Sequence, residues 1–100
     1  MSRDELVIGK AYVLRGLKLD PRRVNSAPIS VRIGMLSCIH GGGYVVRLHR
    51  PGPFRASARR WARLGRVVEL ANFDREATER EISVGLPLET LEAVRLRRAS

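Results

Sequence analysis

The residues whose types and spacing could do chemistry lie between Arg47 and Arg66, in RLHRPGPFRASARRWARLGR. Seven arginines, Arg47, Arg50, Arg55, Arg59, Arg60, Arg63 and Arg66, occur there without a single acidic residue. A guanidinium presents a planar fork that pairs bidentately with phosphate and stacks on a base. The chemistry on offer is therefore recognition of an anion rather than the making or breaking of bonds. Phe54 and Trp61, the latter the chain's only tryptophan, interleave with the arginines. Each can stack on bases, as aromatics do in single-strand binders, or anchor the segment to a core. With five aromatics in the whole chain to furnish a core, anchoring is the favoured reading of Trp61.

Other chemistries find little to work with. Cys38 is the only cysteine, so no internal disulfide and no cysteine-based metal cluster is expected. It sits in an apolar, strand-like run and reads as a buried structural thiol. His40 and His49 are too few for a metal site without cysteines, and acidic residues are scarce nearby. No paired carboxylates share a strand face, and no nucleophile has a base at recognisable spacing. The expectation is a protein that is not an enzyme and holds neither metal nor cofactor.

Charge sharpens the picture. The net charge is +9, carried by 17 Arg and two Lys against ten acidic residues. Residues 1–40 contribute +4, residues 41–66 contribute +7 and residues 67–100 contribute −2, and no Asp or Glu occurs between Asp20 and Glu69. Codon bias accounts for a preference for Arg over Lys, but not for the missing acids. A basic surface this uneven points to polyanions. Arg22 and Arg23, at the tip of the first loop, extend the track if that loop lies on the same side. Pairing with Glu76, Glu79 and Glu81 is the alternative fate of these arginines.

The elements that must position this segment read as β. Leu6–Arg15 is a strand bent or bulged at Gly9, and 16–28 is a loop with Asp20-Pro21 and Asn25-Ser26 turn chemistry. Ile29–His40 alternates at first, then changes its buried face after Gly34. Gly41-Gly42-Gly43 makes a hairpin into Tyr44–Arg50, where Arg47 and His49 are expected on one solvated side. Pro51-Gly52-Pro53 ends that strand. Ser57–Leu64 has a helical pattern with Ala58, Trp61 and Ala62 on one face and arginines opposite. Arg66–Asn72 is the fourth strand, 74–81 a solvated charged linker, 82–84 a short strand, 86–91 a tight turn and 92–96 a last strand.

This succession of RIGMLSCI, the glycine hairpin, YVVRL, RVVEL and the ending ISVGLPLETLEAV resembles the SH3-like small β-barrels. The resemblance implies a mainly β fold: a single domain over 1–100, a five-stranded barrel with an insertion at 51–65 and a charged linker at 73–81. It would place Val84, Pro87, Leu88, Leu91 and Val94 in the Pro-Leu-x-x-Leu turn and closing strand. A small reductase built on this barrel carries a Val-Gln-Ile-Tyr pore motif. Ile82-Ser83-Val84-Gly85 departs from it, so that activity is not carried over.

Barrels of this class bind peptides, DNA, RNA or larger complexes, so the function rests on the arginines. The leading expectation is a cytoplasmic, non-catalytic module that binds DNA or RNA with little sequence specificity. The rival is a protein-interaction module, a small regulator, inhibitor or assembly part, docking an acidic protein surface. No apolar run is long enough to span a membrane, and the charged N-terminus does not read as a signal peptide.

Overall fold

Ala11–Leu14 is the strand around which the chain folds, because all four of its side chains are buried. The computed structural model describes residues 1–17, 31–49, 60–90 and 92. Within them run β1 (Ala11–Leu14), β2 (Arg32–His40), β3 (Gly43–Leu48), β4 (Arg66–Val68), β5 (Phe73–Glu76) and the short α-helix α1 (Glu79–Val84). The strands form one antiparallel, open sheet in the order β4-β3-β2-β1-β5. No closed barrel is seen among the described residues.

β1 is covered on both faces, which explains its unbroken apolar sequence. Tyr12 and Leu14 point into the larger core with Leu6, Leu17, Leu36, Tyr44, Val46, Val68 and Phe73. Phe73 is its hub, meeting Tyr12 and Tyr44 edge-on at 5.6 and 5.5 Å between ring centres. Ala11 and Val13 point the other way, into a smaller core with Ile33 and Ala77, against which Trp61 and Ile82 pack. The strand expected over residues 6–15 is thus shorter than its composition implied. A turn at Ile8-Gly9, with Gly9 at φ +94°, precedes it and leaves Val7 and Ile8 exposed.

The change of face expected after Gly34 occurs at a β-bulge between Leu36 and Cys38. The extra residue, Ser37, flips the alternation, so Ile39 turns inward opposite Tyr44 and Cys38 turns outward opposite Val45. Cys38 is therefore exposed, not the buried thiol that its apolar neighbours suggested. The hairpin turns on Gly41-Gly42, and Gly41 has the positive φ that a II′ turn demands of its first central residue.

The C-terminal third departs most from expectation. Residues 73–81, read as a solvated linker, hold β5 and the first half of α1. The short strand expected at 82–84 is helical. Thr78 caps α1, its hydroxyl accepting from the Glu81 N–H at 3.3 Å while the Glu81 carboxylate accepts from the Thr78 N–H at 3.0 Å. Gly85 ends the helix in the left-handed region at φ +87°. Residues 88–90 form a helical turn after the buried Pro87, and residue 92 is also helical. The rest of the strand expected at 92–96 falls outside the described residues.

Candidate nucleic-acid interface

The described part of the arginine-rich segment begins at Arg60, and its course is set by β3. The Ala62 N–H donates to the Leu48 carbonyl at 2.7 Å, the Arg47 Nε donates to the Ala62 carbonyl at 2.7 Å, and Trp61 forms an antiparallel bridge with His49. Residues 60–65 are therefore a non-helical return limb, laced to the end of β3 at Trp61 and Ala62 and bent at Arg63-Leu64. The helix expected over 57–64 is absent from its described part, 60–64, and 57–59 lie outside it. Backbone bonds to an existing strand win over a short helix with cations in its first turn.

Trp61 is half-buried and packs on the smaller core with Val13 and Ile33. Its ring meets His49 edge-on, 5.0 Å between centres. Trp61 thus anchors the limb. His49, expected on the solvated side of β3 with Arg47, is only 2% exposed. The alternation of β3 did place the two on one face. That face, however, is covered at His49 by Trp61 and by Gly85 of the α1 terminus. A Cβ at Gly85 would stand 2.5 Å from His49 Nδ1, so glycine is needed there for space as well as for φ.

The arginines do not share one surface. Arg47 lies on the outer face of the sheet and is half-buried. Arg66 pairs with Val46 and so projects to the opposite side, where it lines a cleft of about 180 Å³ with Gly16, Leu17, Val68, Glu69 and Asn72. Arg60 and Arg63 are exposed on the return limb and make no ion pair among the described residues. Arg22, Arg23, Arg50, Arg55, Arg59 and Phe54 lie outside the described residues.

Where the acidic residues go decides whether this basic surface is neutralised from within. Glu81, wholly buried, receives the Arg75 fork on both oxygens at 2.6 and 2.7 Å, and the Leu88 N–H at 2.8 Å. Those bonds, led by Arg75, hold its carboxyl down at about 2 against the cost of burial. Arg75 is raised in turn, Glu81 being the first cause. Glu89 pairs with Arg75 at 3.1 Å and with Arg15, which also holds Asp74 at 2.9 Å. Glu89 is lowered by its own backbone N–H first, then by Arg15 and Arg75. Glu76 meets Lys10 at 3.5 Å. The acids of 74–89 are thus largely engaged by Arg15, Arg75 and Lys10. Sequence reasoning missed this clasp, although Thr78-x-x-Glu81 followed by Gly85 is a legible helix signature.

Among the described residues no three His, Cys, Asp or Glu side chains gather as metal ligands, and no helix is long and apolar enough to cross a membrane. No protein-family model, curated protein or solved structure matches the chain.

Proposed function

We propose that this protein is a non-catalytic nucleic-acid-binding module whose arginine-rich segment, 47–66, contacts phosphates. One observation carries the reading: Arg60 and Arg63 stand exposed on a limb fastened to β3, while Glu81, Glu89, Asp74 and Glu76 are occupied by other cations. The limb holds cations where a ligand can reach them, and the fold spends its acids elsewhere. Association with phosphates releases counterions, so the binding is electrostatic and low in sequence specificity.

The SH3-like reading of the fold is kept in modified form. Its support is the meander β1 to β4 with a fifth strand returning beside β1, and that strand is 73–76 rather than 92–96.

The test is titration of labelled duplex DNA by fluorescence anisotropy across salt. With about five phosphates neutralised, log affinity falls against log salt with a slope of roughly −4 to −5. Changing Arg59, Arg60 and Arg63 together to Glu abolishes binding while the melting transition stays. A triple variant that binds DNA and RNA like the parent overturns the reading. Partners that survive nuclease treatment of a lysate would assign the surface to an acidic protein instead.

A further inference from the structure

The outer face of β2, β3 and β4 next to the return limb carries a strip of apolar side chains that the core does not use. Cys38, Val45 and Val67 are consecutive neighbours across the three strands. Val67 is 70% exposed and Cys38 is exposed, with Val45 half-covered between them. Gly65 crosses close above Val45, since a Cβ there would lie 2.5 Å from Val45 Cγ1. That crossing brings Leu64, 83% exposed, to the margin of the strip, and Arg60 and Arg63 belong to the same limb.

We propose that this strip is the base-contacting half of the interface, so that the preferred ligand is a single strand rather than a duplex. The inference rests on the nucleic-acid reading above and names the form of ligand it takes. A duplex turns phosphates outward and keeps its base faces stacked inside. A single strand offers unstacked, apolar base faces beside its phosphates. An apolar strip with Arg63 next to Leu64 at its margin and Arg60 further along the same limb matches the second arrangement and leaves Leu64 and Val67 unused in the first. Tyr12, Tyr44 and Phe73 are buried and Trp61 is committed to His49 and the smaller core, so aliphatic side chains form the platform among the described residues. Charge argues against a second copy as the occupant, because it would bring together two chains of net charge +9, each with exposed arginines on the limb that flanks the strip.

Phosphate contacts alone predict the opposite preference. The counterion term per phosphate is larger for duplex DNA, with a slope near −0.9 against −0.7 for single strands. The experiment compares a thymine oligonucleotide with a hairpin duplex of equal phosphate number, by anisotropy at one salt concentration. The single strand is expected to bind about tenfold more tightly, as the apolar area of one or two buried side-chain groups provides. The Leu64→Ser/Val67→Ser variant, altered only at exposed positions, keeps its melting transition and loses that preference, the ratio falling to near one. Arg60→Glu/Arg63→Glu weakens both ligands together. A duplex preference in the parent, or an unchanged ratio in the serine variant, overturns the inference while leaving the nucleic-acid reading standing. So does a serine variant whose only change, by sedimentation, is from dimer to monomer. Binding of neither ligand overturns the nucleic-acid reading itself and this inference with it.

Discussion

Glu81 has no solvent exposure and four hydrogen bonds in range of its carboxylate, from both arms of Arg75 and from the Thr78 and Leu88 N–H groups. Removing it takes away the two shortest bonds of Arg75, leaves the Leu88 N–H without its acceptor and frees the cap of α1, so Glu81→Ala should cost about 2–4 kcal/mol in urea unfolding. The sign of its pH dependence follows from its depressed carboxyl, at about 2 when folded against 4.5 in the free side chain. That contribution is complete above roughly pH 5 and is lost as pH falls toward 2. Melting temperature should therefore be level above pH 5 and drop below it. The drop should be shallower in Glu81→Gln, which has no proton to take up. Gly85 is the other sensitive single position. Gly85→Ala places a Cβ in the left-handed region and 2.5 Å from His49 Nδ1, for an expected loss of about 2–4 kcal/mol.

At the scale of elements, the return limb is the part on which the proposed function depends, and it is held less firmly than β1. It is tied to β3 by the Ala62–Leu48 and Arg47–Ala62 bonds and by the Trp61 ring, whereas β1 is paired on both sides and covered on both faces. Local opening should follow that difference. The Ala62 amide is expected to exchange far sooner than those of Tyr12 and Val13, read by hydrogen exchange with NMR. Gly65→Val tests the limb apart from the core. Its side chain would collide with Val45, lifting the limb and weakening oligonucleotide binding about tenfold or more, with the transition of the main core little changed. The two sheet edges are also treated differently. β5 is guarded by charged Asp74, Arg75 and Glu76, while β4 is only three residues long, and that shortness is its protection from edge-to-edge pairing.

For the whole molecule, charge is the organising quantity. Asp74, Glu81 and Glu89 are drawn into a clasp with Arg15 and Arg75 that fastens the segment around α1 to β1 and β5. The acid-free middle of the chain supplies β3, β4 and the limb between them. The same chain therefore separates a neutralised, structural charge cluster from an exposed, cationic one. Raising salt from about 50 to about 200 mM should weaken DNA binding roughly 500-fold. The same change should alter stability far less, because the Glu81 carboxylate is buried and its bonds to Arg75, Thr78 and Leu88 are short-range contacts that salt screens little. Measuring affinity and melting temperature over the same salt series checks both halves of that statement.

Much was legible in the residues alone. The alternation of β2 and β3, the Gly41-Gly42 hairpin, the apolar character of β1 and the asymmetric charge are local properties, and period-2 patterning with turn chemistry reports them directly. The anchoring role of Trp61 could be read from the scarcity of other aromatics. Tertiary structure alone decided which outward positions are covered. His49 is buried because Trp61 and Gly85 close over it, and Cys38 is exposed because one bulged residue reverses the pleat. Residues 73–76 became a strand because the free edge of β1 accepted them, although their charged sequence has little strand propensity of its own. The clustering of the arginines was equally plain in the sequence. Only the pairing register parted them, sending Arg66 to the core side of the sheet and leaving Arg60 and Arg63 to the solvent.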